Sequence, residues 1–117
     1  MTYVDGFVGA VPTANKEAYR RHAEEAAAIF KEYGALSLVE CWGDDVPEGK
    51  INSMHTAVLR KEDETVVFAW ITWPDKATRD AGMAKVFADP RTSATMDSMP
   101  FDGSRMIFGG FEVIVDA

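Results

Sequence analysis

Two acidic residues stand where the surrounding pattern wants apolar ones. Asp5 lies between Tyr3 and Phe7 in YVDGFVGAVP, and Glu40 lies between Leu38 and Trp42 in LSLVECW. Burying a charged carboxylate is costly unless it is paired, hydrogen-bonded or pushed toward its neutral form. A carboxyl held near neutrality can take a proton from, or return it to, a small carbonyl or aromatic compound. Asp5 and Glu40 are therefore the candidate catalytic groups, with Arg105 as counter-ion, and Tyr3, Trp42 and Trp70 supply candidate binding walls for an apolar ligand. The competing reading is structural. In it, either acid pairs with Arg105 or Arg79 across the sheet or a subunit seam and only fixes register, since ion-pair networks perturb carboxylates too.

Other chemistry-bearing side chains read more plainly. His22 sits beside an apolar helical stripe, one turn from Tyr19 and Ala26, the pattern of a boundary histidine. His55 falls in an unassigned polar stretch. Two histidines without an i,i+4 histidine partner make a poor metal site, and neither is singled out as a haem ligand, so no cofactor is expected. Cys41 shares a strand side with Ala35, Ser37 and Val39 and has no neighbouring cation to generate a thiolate. GDDVPEGK offers three carboxylates but lacks the alternating ligand spacing of a calcium loop. The glycines of FVGAV and FGGFE open no helix, which argues against a phosphate loop. Five methionines, Met54, Met83, Met96, Met99 and Met106, together with Phe68, Phe101 and Phe108, suit either a packed core or an adaptable apolar cavity.

The elements that position these residues follow from periodicity. Tyr3 to Val11 alternates as a strand and stops at Pro12. Asn15 is placed to cap a helix whose stripe is Tyr19, Ala23, Ala26, Phe30 and Tyr33, ending at Gly34. Ala35 to Gly43 is a second strand, and Thr65 to Trp73, apolar on both faces, is a central third. The intervening segment of about twenty residues is too long for a hairpin and suggests a short element near Met54 to Leu59 or a functional loop. Pro74 and Asp75 open a second helix, Asp89-Pro90 a short third, and PFDG turns into a last strand, Arg105 to Val115. The order β-α-β-β-α-β is the split-βαβ, ferredoxin-like pattern: an α+β fold with helices on one face of a four-stranded antiparallel sheet. One domain over 1–117 is expected.

Composition bounds the partners. Nineteen acidic against twelve basic residues give a formal charge of −7, which disfavours nucleic acid. No apolar run approaches a bilayer's thickness and the opening lacks a signal-peptide pattern, so the expectation is a cytoplasmic protein with no membrane partner. Large apolar side chains on both sheet faces exceed the few hundred Å2 of patch that a soluble monomer tolerates, and a second copy packing sheet to sheet is the economical cover. Gly109-Gly110 then reads as a bulge, or as a place where another backbone comes close.

The ordered set YVDGFVGAVP, GALSLVECWGDDVPEGK, ETVVFAWITWP, ADPR and MPFDGSRMIFGGFEVIV resembles the bacterial YbaA-like family, a domain-of-unknown-function family, over nearly the whole chain. The resemblance implies a ferredoxin-like protomer of the dimeric α/β-barrel superfamily, which includes small cofactor-free monooxygenases, haem-binding chlorite dismutase-like proteins and muconolactone isomerase-like proteins. It implies no particular activity. Two functions follow as expectations. One is a homodimer that binds a small apolar or aromatic molecule between sheet and helices, with oxygenase- or isomerase-like chemistry. The other is a non-catalytic dimerisation module without such a site.

Overall fold

The computed structural model describes residues 2–117. Its strands are β1 (Tyr3–Pro12), β2 (Ser37–Trp42), β3 (Glu64–Trp73) and β4 (Ile107–Glu112), and its helices are α1 (Lys16–Glu32), α2 (Met54–Ala57), α3 (Lys76–Ala88) and α4 (Pro90–Asp97). The sheet order is β2-β3-β1-β4 with every neighbouring pair antiparallel. Asp75 caps α3 by accepting from the Thr78 amide, and Asp89 with Pro90 at the first turn opens α4. Asn15 departs from expectation: its side chain caps nothing, and its Nδ2 instead donates to the Pro100 carbonyl at 2.8 Å, tying the start of α1 to the segment before β4.

Register sorts the side chains onto two faces, because alternate residues of a strand point oppositely. Glu40, Ala69, Phe7 and Phe108 form one row across the helix-covered face, and Leu38, Ile71, Asp5 and Gly110 form the next. Two separate apolar clusters hold the helices down. One joins Trp73, Ile71 and Ala35 to Phe30 and Met83, and the other joins Val11, Tyr19 and Val67 to Trp42 and Phe101. At Gly82 of α3 the helix comes close to the sheet. A Cβ there would lie 2.5 Å from the Trp73 ring and 2.6 Å from the Tyr33 carbonyl oxygen.

The opposite face is covered in part by the chain itself, which the periodicity did not reveal. The 43–63 segment folds back, opened at α2 by a Ser53–Thr56 capping box, and buries Val58 completely against Ala10 and Val66. The rest of that face stays bare: Phe68, Ile107 and Phe111 are exposed beside Val4, Gly6 and Trp70. The glycine pair forms no bulge, since the β1–β4 ladder runs unbroken from Tyr3↔Glu112 to Val8↔Ile107. Gly110 instead leaves room for the Tyr3 hydroxyl and the Arg79 guanidinium, which a Cβ would meet.

Arg105 lies in the turn before β4 rather than in the strand, and it clasps three segments at one end of the sheet. Its Nη1 and Nη2 donate to the two Glu64 carboxylate oxygens at 2.7 and 2.6 Å, Nη1 also to the Leu59 carbonyl at 2.8 Å, and Nε to Asp102 at 2.9 Å. Leu59 there holds φ +52, unusual for a residue other than glycine. The Arg105 bonds pull the Glu64 carboxyl from 4.5 to about 2. A depressed folded pKa stabilises in full above the unfolded value and the contribution fades as pH falls toward the folded one. The stability gap between the parent and Glu64→Gln should accordingly close between pH 4.5 and about 2, as urea unfolding at stepped pH will show.

Candidate functional site

Between the two helix-side clusters the layers do not close. A cavity of about 780 Å3 remains under α1, α3 and α4, walled mainly by apolar side chains including Phe7, Phe30, Ile71, Met83, Phe101 and Phe108. Tyr19, His22, Glu40, Asp5, Arg79 and Thr92 bring polar groups to its lining.

The two candidate acids meet different surroundings. Asp5 is buried and saturated: the Trp73 indole Nε1 donates to it at 2.9 Å, and Arg79 grips both oxygens, with Nη2 to Oδ1 at 2.7 Å and Nε to Oδ2 at 3.1 Å. Arg79 is also held by Asp80 at 2.9 Å and lies over the Tyr3 ring, 5.2 Å from its centroid. The Asp5 bonds raise the Arg79 pKa further, so the guanidinium stays charged. Asp5 thus fits the structural reading, with Arg79 as its counter-ion.

Glu40, two strands away and one row along, has a single partner: the Tyr19 hydroxyl donates to Oε1 at 2.6 Å. It is open to water through the cavity yet walled by protein on its other sides. That surrounding raises its pKa, with the Tyr19 bond pulling the other way. Burial first, then the Glu40 charge and bond, raise the Tyr19 pKa strongly, so Tyr19 remains a protonated donor. Among the described residues nothing else bonds Glu40, which leaves Oε2 available as an acceptor. His22 Nε2 and Thr92 Oγ1 are buried without partners. Burial lowers the His22 pKa against an opposing bond to the Thr95 backbone, which keeps the ring neutral at neutral pH.

The expected constellation is therefore brought together only in part. Asp5 and Glu40 share the cavity lining, while Arg105 is engaged with Glu64 at the sheet end. Tyr3 and Trp42 lie on the helix-covered side but behind the lining. Tyr3 stacks on Arg79, and Trp42 packs 6.2 Å from the Tyr19 ring beneath Lys16. Trp70 is on the other face, 5.7 Å from Phe68, because β3 places it out of phase with Ala69 and Ile71. Tyr19, His22 and Thr92 were not singled out as site residues. The readable signal was that Tyr19, His22, Ala23 and Ala26 share one face of α1. Among the described residues, no group of three or more His, Cys, Asp or Glu side chains is placed to hold a metal ion.

A 4-stranded antiparallel sheet in this order, with α1, α3 and α4 on one face and a cavity between the layers, defines a ferredoxin-like α+β protein. The family model described as "Protein of unknown function (DUF1428)" matches residues 2–103, and the chain is 56% identical to Escherichia coli (strain K12) "Uncharacterized protein YbaA" over 99% of both chains. The chain belongs to this YbaA-like DUF1428 family. Solved structures similar in fold include a dimeric ferredoxin-like protein from an uncultured marine organism, with TM-score 0.61 and 12% identity over 99% of this chain and 98% of that one. Another is SnoaB, a cofactor-independent oxygenase from Streptomyces nogalater, with TM-score 0.59 and 17% identity over 98% of this chain and 93% of that one. No helix among the described residues is long and apolar enough to cross a membrane.

Proposed function

We propose that the protein is a cytoplasmic homodimer that binds a small, largely aromatic molecule in the cavity and moves a proton on it through Glu40. The cavity carries the reading: at about 780 Å3 it falls within the usual volume of small-molecule sites, roughly 300–1,000 Å3, and it combines apolar walls with one carboxylate oxygen left unpaired. Glu40 Oε2 accepts a proton from an acidic C–H or O–H of the ligand. Tyr19 steadies the carboxylate through Oε1, and Glu40's raised pKa improves its match to weak carbon and oxygen acids. The similarity in fold to a cofactor-independent oxygenase is compatible with such chemistry. Titrating the protein with neutral bicyclic aromatics should raise its melting temperature. Ala26→Phe, which fills the cavity from α1, should abolish the rise without unfolding the protein; no rise in the parent for any of them overturns the reading.

The dimer rests on the bare half of the outer face. Exposed Phe68, Ile107 and Phe111 around a shallow apolar groove need cover, and a similar solved structure is itself a dimer. Sedimentation should find a dimer at micromolar concentration. Phe68→Lys with Phe111→Lys should weaken it by at least about 30-fold, the loss typical of removing an interface hot spot. A monomeric parent would end this account.

A further inference from the structure

We infer that the Glu40–Tyr19 pair makes the cavity a charge filter: it admits neutral aromatic molecules that carry a hydrogen-bond donor and rejects organic anions built on the same skeleton. The inference rests on the cavity being a ligand site and goes on to say which ligands it takes.

Arg79 is the one guanidinium or ammonium among the described residues lining the cavity, and two carboxylates already engage it. Its Nε and Nη2 are on Asp5 and its Nη1 is on Asp80. Asp5 and Arg79 cancel each other's charge. Glu40 then leaves the cavity with a surplus negative charge, inside a chain whose formal charge is already −7. An entering carboxylate or phosphate would give up water against that charge with no unpaired cation to receive it, a cost between apolar walls. The Tyr19 proton is already spent on Oε1, so the pair presents an acceptor and no donor. His22 and Thr92 add no cation: the imidazole is held neutral and the hydroxyl is uncharged. A hydroxyl or N–H on the ligand satisfies Oε2, and its ring satisfies the walls. An ammonium would meet the right charge but would have to desolvate against the phenylalanine and methionine side chains, so the neutral donor is preferred.

Binding of 2-naphthol, its methyl ether and 2-naphthoate, measured by calorimetry at mildly alkaline pH, tests this. The naphthol should bind about tenfold tighter than the ether, the usual gain from a hydrogen bond to a charged acceptor, and the naphthoate at least about tenfold weaker than the ether. Glu40→Gln should narrow the gap between the naphthoate and the ether about tenfold, because it removes the charge and keeps the shape, leaving only the anion's own desolvation cost. Glu40→Met gives the same comparison should the amide variant fail to fold. Three compounds binding equally to the parent would overturn the filter and leave the cavity reading standing. A Gln or Met variant that rejects the naphthoate as strongly as the parent does would also overturn the filter. Binding of none of the three would overturn both readings.

Discussion

Replacing Arg79 with alanine should cost roughly 3–5 kcal/mol of folding stability, the usual loss when one member of a buried ion pair is removed and its partner is stranded. The Asp5 side chain is only 4% exposed, and without Arg79 it would keep the Trp73 indole as its single side-chain donor. The penalty comes from the abandoned carboxylate rather than from the net worth of the pair. Arg79→Ala with Asp5→Leu should therefore recover much of the loss, since two well-packed apolar groups leave nothing unsatisfied. Asp80→Ala is the control: its carboxylate is surface-exposed, and removing it should change stability by about 0–1 kcal/mol. Urea unfolding of the four proteins measures all of this. A loss for Arg79→Ala no larger than for Asp80→Ala would show that the pair is not structural.

Gly82→Ala should destabilise the protein by about 1–3 kcal/mol, the range for overpacking a close contact. In an ordinary helix interior the same change would stabilise by about 1 kcal/mol. The sign reverses here because the added methyl meets the Trp73 ring on one side and the Tyr33 carbonyl oxygen on the other, and a backbone oxygen cannot rotate away. Relief requires α3 to lift from the sheet. That helix carries Arg79, Met83, Val86 and Phe87 of the cavity wall, so the variant should lose ligand-induced stabilisation as well as melting temperature. Thermal unfolding with and without 2-naphthol reads both effects.

The sequence made the order and kind of elements legible because each carries its own local signal: period-2 runs for β1 and β3, an amphipathic stripe for α1, and Asp-Pro at the start of α4. Asp5 and Glu40 were visible for the same reason, as charged breaks in apolar alternation. Facing was harder to read. β3 is apolar on both sides, so nothing in its own pattern says whether Ala69 or Trp70 looks toward the helices; only pairing with β1 and β2 settles that. The partner of Asp5 was unreadable too. Arg79 and Arg105 both follow turn signals, and the choice depends on how α3 lies across Trp73. The Gly109-Gly110 pair was legible as a close approach, but what approaches Gly110 is two side chains from distant parts of the chain. Tyr19 looked like one more member of the helical stripe because its hydroxyl finds a partner only after folding brings β2 beneath α1.

The unequal treatment of the two acids sets limits on how such a protein can diversify. Asp5 is welded into the scaffold through Trp73 and Arg79, so a change at that position forfeits folding first. Glu40, tethered by a single hydroxyl, can be exchanged while the ion-paired floor stays untouched.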